Sequence, residues 1–264
     1  MPICQVTACA GYDRMEPIII GVIVFFVAVV FSMLGLGGGL VYVPLFYWLG
    51  IDMLIAIPTA ILLNAVTSSS AAITYVRKKM VDLHTAAPFI ISSTIGAPVG
   101  AYFTQFTPVE TLLWTFSVIL VFTGARIIFS KSVKEGSETP NLDSKKITVI
   151  GAGLGFLIGV AAGMLGIGGG VFIVPILITL GFGMKRAAAT SGFIIVFSSV
   201  SGFLGHLGSS YMDVELMIYT AIAAFIGGQV GSHLMYNKIR SKTIKQMFGV
   251  VLWVMAIKIV IGLM

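Results

Sequence analysis

Charged residues are scarce in this chain. Aspartate, glutamate, lysine and arginine together make up 10% of its 264 residues, whereas a soluble domain carries about 25%. Hydrophobic residues make up 58%, and no acidic residue lies in the interior of a long apolar run. With so little charge available to solvate a surface, the composition predicts a membrane protein.

Groups for catalysis and metal binding are also lacking. The only cysteines, Cys4 and Cys9, lie in the polar tail before the first apolar run, where they either pair or remain two incidental thiols. No metal-ligand spacing, nucleophile–base pair or buried carboxylate pair is found, so we predict no enzyme activity, no metal and no cofactor. The net charge of +6 comes from short basic loops without interleaved aromatic residues, which predicts no nucleic-acid partner.

Long apolar runs dominate what is present. Each has roughly the twenty residues that a helix needs to cross a ~30 Å hydrocarbon core. None alternates with period two, as a barrel strand would. The sequence therefore predicts an all-α protein with the lipid bilayer as a partner. The runs are Pro17–Leu34, Met53–Val76, Thr85–Phe106, Thr111–Ser130, Ile147–Leu165, Met184–Leu207, Glu215–Tyr236 and Lys245–Met264.

The chain repeats itself after a shift of 131 residues. The stretch "MLGLGGGLVYVP", Met33–Pro44, returns as "MLGIGGGVFIVP", Met164–Pro175. The longest polar stretch, 131–146, lies between the two copies. We predict a first transmembrane repeat over 1–130, a linker over 131–146 and a second transmembrane repeat over 147–264, as transporters are often built. Further matching pairs are Thr59/Thr190, Ser68/Ser199 and Asp82/Asp213.

The basic loops predict that the two repeats have opposite orientations. Arg77-Lys78-Lys79 follows the run Met53–Val76, whereas Lys185-Arg186 precedes the equivalent run of the second repeat. Positive loops mark the cytoplasmic side, so the two runs cross the membrane in opposite directions. An inverted repeat needs an odd number of crossings per half, but each half has only four long runs.

The segment after each glycine stretch supplies the missing crossing. Ten residues separate Gly39 from Gly50 and Gly170 from Gly181, and ten helical residues span ~15 Å, half the hydrocarbon core. We therefore predict in each half an entering helix, a glycine break at mid-depth, a re-entrant half-helix and three full spans. Both termini then lie outside and the linker is cytoplasmic. The alternative is eight simple spans in two parallel repeats.

The two glycine breaks form the candidate site. Irregular backbone at membrane depth is tolerated where it is buried in protein or lines a cavity. Each break precedes a helix, so unpaired N–H groups and the positive end of a helix dipole point into one space that suits an anion. The predicted substrate-binding residues here are Gly37, Gly38, Gly39, Gly168, Gly169 and Gly170. The alternative is that these glycines only allow close helix packing.

Polar residues of the following runs extend this site. Thr59 and Thr190 are predicted either to cap helix starts or to donate a hydrogen bond to the ligand. Asn64 is predicted either to belong to the site or to bond another helix. Ser68 and Ser199 are predicted to be contacts between helices. A last group of glycines is assigned to helix packing: Gly96, Gly100, Gly151, Gly155, Gly159, Gly163, Gly227 and Gly231.

Two longer stretches carry a family resemblance. "LGLGGGLVYVPLFYWLG" and "LGIGGGVFIVPILITLGFGMKRAAATS" resemble the signature regions of the TauE/SafE family of sulfite exporters. The second stretch ends in the family's A-x-A-T-S pattern at Ala187–Ser191, which adds Ser191 to the candidate substrate-binding residues. The first copy, Ala56–Ala60, lacks the final serine, so the halves are expected to contribute unequally.

The resemblance also implies a function. It implies transport of sulfite, a sulfonate or a related sulfur-containing anion, usually outward, in the inner or plasma membrane of a prokaryotic cell. It fixes neither the particular anion nor an oligomeric state. Two alternatives remain: an anion channel for a carboxylate without sulfur, and a membrane scaffold or assembly subunit that transports nothing.

Overall fold

All secondary structure that the structure describes is helical. The computed structural model describes residues 17–104, 106–108, 144–166, 169–207 and 212–237, together with isolated residues between 111 and 118 and between 239 and 254. The helices in these ranges are α1 (Pro17–Leu34), α2 (Gly39–Trp48), α3 (Met53–Arg77), α4 (Leu83–Thr104), α5 (Ser144–Leu165), α6 (Gly170–Thr179), α7 (Met184–His206) and α8 (Val214–Asn237).

These bounds agree with the predicted runs to within a few residues, so the all-α prediction is confirmed. Five of the described helices, α3, α4, α5, α7 and α8, are long and apolar enough to cross a membrane. Other predictions fall outside the described residues: linker residues 131–143, Cys4 and Cys9, Gly168, and nearly all of the runs Thr111–Ser130 and Lys245–Met264. The last three linker residues, 144–146, begin α5.

The remaining three helices are shorter. Helix α1 has 18 residues, and α2 and α6 have 10 residues each. Ten residues rise ~15 Å, so α2 and α6 have the predicted half length. The outward faces of the long helices carry large apolar side chains, such as Ile91, Leu157 and Ile222 at 64%, 63% and 58% exposure. Such faces suit contact with lipid, and the fold is that of a multi-pass membrane protein.

Helices α3 and α7 are the most buried of the long helices and form the centre of the bundle. Ile61 of α3 lies near Gly202 of α7, Asn64 bonds Ser199, and Tyr75 lies near Gly192. Because the residue numbers of the α7 partners fall as those of α3 rise, α3 and α7 run antiparallel.

Glycines let the outer helices approach the bundle closely. A β-carbon built on Gly159 of α5 would lie 2.7 Å from Ser93 Cα of α4, and one on Gly163 would lie 2.9 Å from the Ala97 carbonyl carbon. Gly227 and Gly231 of α8 meet the backbone of α1 in the same way. In both helix pairs the residue numbers of the contacting partners rise together along the two helices. Helices α4 and α5 are therefore parallel, as are α1 and α8. For these helical glycines the packing prediction is confirmed.

Hydroxyl groups join the outer helices to the central ones. Ser70 of α3 donates to the carbonyl oxygen of Phe225 in α8 at 2.6 Å. Its repeat equivalent, Ser201 of α7, donates to the carbonyl oxygen of Thr94 in α4 at 2.7 Å. Further along, Thr74 contacts Gln229 and Gly205 lies beside Pro98, so α3 runs parallel to α8 and α7 runs parallel to α4.

Candidate functional site

Backbone geometry requires the glycines of both breaks. In the first break Gly35, Gly37 and Gly38 have φ values of 69°, 76° and 108°; in the second, Gly166 and Gly169 have values of 72° and 77°. Residues with a β-carbon adopt such left-handed conformations at a cost. Gly38 and Gly169 stand immediately before α2 and α6, so each left-handed residue redirects the chain into a half-helix.

The structure brings the two breaks into contact. A β-carbon on Gly170 would lie 3.0 Å from Leu36 Cα and 3.1 Å from the Gly35 carbonyl oxygen. Gly35 lies against the backbone of Ala188 in α7, and its equivalent Gly166 lies 3.4 Å from the carbonyl oxygen of Ile57 in α3, measured from the built β-carbon. Each break therefore packs against the central helix of the opposite repeat. Their depth in a bilayer stays a prediction.

Asn64 connects the first break to the second repeat. Its Oδ1 accepts a hydrogen bond from the Gly39 amide at 2.9 Å, and its Nδ2 donates to Ser199 Oγ at 2.7 Å. The asparagine is fully buried. Of the two alternatives predicted for Asn64, the bond between helices is confirmed. The carboxamide that makes this bond also contacts the first break at Gly39. The predicted interhelical role of Ser199 is confirmed as well.

Ser68 lies beside the first break, and its hydroxyl forms no hydrogen bond to another helix within the described ranges. Its side chain is buried at 1% exposure, and its hydroxyl has no hydrogen-bond partner among the residues that the structure describes. A β-carbon on Gly37 would overlap both Ser68 Oγ and Asn64 Oδ1. The contact between helices predicted for Ser68 is thus not made by a hydrogen bond to a described residue, and its hydroxyl lies next to Gly37, between α1 and α2.

Tyr42 and Thr67 complete the polar surroundings of the first break. The Tyr42 hydroxyl lies 3.1 Å from Thr67 Oγ1, and both side chains are fully buried. The Tyr42 ring lies over Gly38, where a β-carbon would come within 2.6 Å of Cε2. Neither residue was predicted from the sequence. A comparison of the two repeats could have pointed to Tyr42, because the second repeat has the apolar Ile173 at the equivalent position.

Thr59 and Thr190 do not stand at helix starts, so the capping prediction is wrong. Helix α3 begins six residues before Thr59, at Met53, and Asp52 caps it by accepting from the Leu54 amide at 2.8 Å. Pro58, which precedes Thr59, lies inside α3. Thr59 donates to the Ile55 carbonyl oxygen of its own helix at 2.7 Å.

Two second-repeat residues of the A-x-A-T-S pattern contact the first repeat. Thr190 Oγ1 accepts a hydrogen bond from the Asp82 amide at 3.1 Å. Ser191 Oγ donates to the Gly35 carbonyl oxygen at 3.1 Å, so it lies on the first break. Both side chains are fully buried.

The described part of the second break has apolar surroundings. A β-carbon on Gly169 would lie 2.8 Å from Ile158 Cγ2 and 3.7 Å from Ala162 Cβ. One on Gly170 would lie 2.5 Å from Ile195 Cδ1. The polar side chains Asn64, Ser68 and Ser191 thus lie at the first break, whereas aliphatic side chains surround Gly169 and Gly170.

The chemistry of this centre is that of hydrogen bonding to a ligand. The groups present are backbone amides, hydroxyls and one carboxamide. No described residue accepts a hydrogen bond from the amide of Gly37 or Gly38. Within the described ranges, no group of three histidine, cysteine or acidic residues lies close enough together to hold a metal ion.

The structure has long apolar helices around two glycine breaks and a buried polar centre. These features are those of the class of membrane transport proteins. The family model of the sulfite exporter TauE/SafE matches residues 20–259, and the chain belongs to this family. It is accordingly a membrane transporter and not an enzyme, which confirms both predictions.

Proteins of known sequence agree with this assignment. The chain is 27% identical over 261 residues to the "probable membrane transporter protein YunE" of Bacillus subtilis, covering 90% of this chain and 95% of the relative. It is 25% identical over 250 residues to YfcA of Escherichia coli K12, covering 93% and 91% of the two chains, and that protein has the same description. No solved structure matches the chain significantly.

Proposed function

We propose that this transporter moves a small sulfur-containing anion, such as sulfite or a sulfonate, outward across the inner or plasma membrane of a prokaryotic cell. The anion binds between the two breaks. The observation that carries the proposal is that α2 begins, at Gly39, within a buried polar cluster. The Gly39 amide donates to Asn64, which in turn donates to Ser199. The proposed binding residues are Gly37, Gly38, Gly39, Thr59, Asn64, Gly168, Gly169, Gly170, Thr190 and Ser191.

Helix α2 can bind an anion without a positively charged side chain. Its first N–H groups point toward the break, and its dipole places partial positive charge there. Glycine lets a ligand come close to those amides. Hydrogen bonds to an ionised group contribute more than neutral ones, above all where water is excluded. The buried hydroxyls and amides of the first break suit this role.

The helix directions support an inverted repeat. Helices α1, α3 and α8 share one direction, because α8 is parallel to both α1 and α3. Helices α4, α5 and α7 share the opposite direction, since α4 is parallel to α5 and to α7. Each long helix therefore runs opposite to its repeat equivalent: α1 to α5, α3 to α7 and α4 to α8. In this proposal the two repeats alternate around the central site to give access from either side.

The same arrangement supports the proposed orientation in the membrane. Because α3 and α7 are antiparallel, the end of α3 at Arg77 and the start of α7 at Met184 lie on one side. The basic residues Lys78, Lys79, Lys185 and Arg186 stand at these ends, which indicates the cytoplasmic side. With the half-helices returning, both termini lie outside and the linker 131–146 is cytoplasmic.

Membrane potential supplies the driving force. An inside-negative potential favours anion exit by ~2.3 kcal/mol per charge per 100 mV. A divalent anion gains ~4.6 kcal/mol at about −100 mV, equivalent to a concentration ratio of roughly a thousandfold. Outward transport then needs no coupled ion. The rival mechanism is proton coupling, in which an anion such as sulfite itself carries the proton.

Two measurements test the proposed function. The first is thermal unfolding of purified protein with sulfite, thiosulfate, sulfoacetate, taurine or acetate; we expect a rise in unfolding temperature with a sulfur oxyanion. A response to acetate alone favours the carboxylate channel, and no response favours the scaffold. The second is flux in liposomes with a clamped potential, with empty liposomes as the control. Flux that follows an imposed pH gradient and ignores voltage overturns the uncoupled mechanism.

A further inference from the structure

The two breaks differ most in the side chains that equivalent positions present to them. Asn64 at the first break aligns with Ile195 at the second, and Tyr42 aligns with Ile173. Asn64 bonds the first residue of α2, whereas Ile195 contacts the first residue of α6 through its Cδ1 methyl group. A negative charge is stabilised by hydrogen-bond donors and destabilised in aliphatic surroundings.

We propose that the charge of the transported anion is bound at the first break, and that the Ser68 hydroxyl is one of its hydrogen-bond donors. The proposal rests on the proposed function, since it assigns a binding residue within the same site. The sequence by itself predicts only a contact between helices for Ser68.

The Ser68 hydroxyl has the properties of a group that awaits a ligand. It is buried, and no described residue bonds it. A buried polar group without a partner is costly, and native proteins retain few of them. Its nearest break residue is Gly37, whose absent β-carbon leaves the space into which the hydroxyl projects. An anion at this place gives the hydroxyl the acceptor that it lacks.

The position of Ser68 relative to α2 explains why an anion is the fitting ligand. Helix α2 has ten residues, so its N-terminus carries the partial positive charge of a helix dipole. The Gly37 and Gly38 amides precede that N-terminus, and no described residue accepts a hydrogen bond from them. Ser68 Oγ–H and these two N–H groups are donors at the same break. Donors without acceptors at a helix N-terminus select negative charge.

Ser68→Ala separates ligand binding from structure, and Ser198→Ala is its matched control. Ser198 is also a buried serine of a central helix, but its hydroxyl donates to the Ile195 carbonyl oxygen of its own helix at 3.2 Å. Both variants are purified in detergent and titrated with sodium sulfite and with sulfoacetate. Unfolding temperature without ligand and the dissociation constant are measured for each.

We expect Ser68→Ala to keep or raise the unfolding temperature, because it removes an unpaired buried hydroxyl. Its dissociation constant should rise about tenfold or more, the effect of losing a hydrogen bond to a charged ligand. Ser198→Ala should leave the dissociation constant within about twofold, well below the effect of one lost hydrogen bond.

Each other outcome overturns a distinct claim. If wild type and Ser68→Ala bind either probe equally, the assignment of Ser68 is wrong while the proposed function stands. If Ser68→Ala lowers the unfolding temperature clearly, its hydroxyl has a structural partner and the inference fails. If wild type binds neither sulfite nor sulfoacetate, the proposed function fails together with the inference.

Discussion

The two glycine breaks share a backbone but not their surroundings. Gly35 and Gly38 have the same left-handed conformation as their equivalents Gly166 and Gly169, and each break leads into a ten-residue helix with a proline inside it. The side chains differ, since Asn64 contacts the first break while Ile195 contacts the second. At the described positions the main-chain path is thus preserved, while the side chains that contact it are polar at the first break and aliphatic at Gly169 and Gly170.

The interfaces between central and outer helices differ in the same sense. Between α3 and α8, Gln229 Nε2 donates to the Ser70 carbonyl oxygen at 2.8 Å, and Ser232 Oγ donates to Thr74 Oγ1 at 3.0 Å. The equivalent positions between α7 and α4 are the small or apolar residues Gly205, Pro98 and Ala101. Beyond the bond from Ser70 or Ser201 that both interfaces have, the α3–α8 interface adds further hydrogen bonds, whereas close packing occupies the same positions between α7 and α4.

The largest expected effect tests how tightly each break is packed. Gly35→Ala should destabilise the protein by about 3 kcal/mol or more, because a left-handed alanine costs ~1–2 kcal/mol and its β-carbon overlaps the Ala188 backbone. Gly166→Ala should cost only about 1–2 kcal/mol, since its nearest neighbour is the movable Val43 side chain at 2.8 Å. Unfolding by detergent denaturation measures both.

Gly153→Ala is the control for these glycine variants. A β-carbon on Gly153 of α5 would meet no atom within 4 Å, and its φ is helical. Alanine there should be neutral or stabilising by up to about 1 kcal/mol. Equal losses for Gly35→Ala and Gly166→Ala would show that the two breaks are packed alike, contrary to the geometry.

The next effect tests whether the polar first break matters for transport. Asn64→Ile copies the second break, and it leaves the Gly39 amide and Ser199 without their partner. We expect loss of anion flux in liposomes and a stability loss of about 1–3 kcal/mol. Ile195→Val, which removes one carbon at the equivalent position, should cost about 0.5–1.5 kcal/mol and keep the flux. Wild-type flux in Asn64→Ile would mean that the asymmetry has no function.

The sequence predicted the breaks well because their cause is local. A repeated glycine stretch followed by ten apolar residues leaves little choice of main-chain path, and α2 and α6 follow it. The bond between Asn64 and Ser199 joins residues 135 apart in sequence, so it depends on how two helices pack. The capping alternative failed for Thr59 and Thr190 alike, because α3 and α7 begin six residues before these threonines, at Met53 and Met184.

A smaller effect separates the two equivalent threonines. Thr190→Val removes the acceptor of the Asp82 amide, which joins the two repeats, and should cost about 1 kcal/mol. Thr59→Val removes only a hydrogen bond to the Ile55 carbonyl oxygen of its own helix and should cost less than about 0.5 kcal/mol. Thermal unfolding of both variants in one detergent gives the comparison. A larger loss for Thr59→Val would contradict this assignment of bonds.

The smallest effect concerns a pair of side-chain bonds between helices that the two repeats share with nearly equal lengths. Ser70 and Ser201 donate to carbonyl oxygens of the neighbouring outer helices at 2.6 Å and 2.7 Å. Hydrogen bonds between membrane helices contribute about 0.6 kcal/mol on average. Ser70→Ala and Ser201→Ala should therefore each cost about that much, within a few tenths of a kcal/mol of each other.

Equal losses for the two serine variants would mean that this bond contributes the same stability in both repeats. The Ser70 carbonyl oxygen also accepts from Gln229, but Ser70→Ala leaves that main-chain bond in place. A loss for Ser70→Ala well above that for Ser201→Ala would mean that the Ser70 hydroxyl supports the polar α3–α8 interface as a whole. The double variant Ser70→Ala/Gln229→Leu then measures the coupling: additive losses keep the two bonds independent, as the separate acceptor atoms predict.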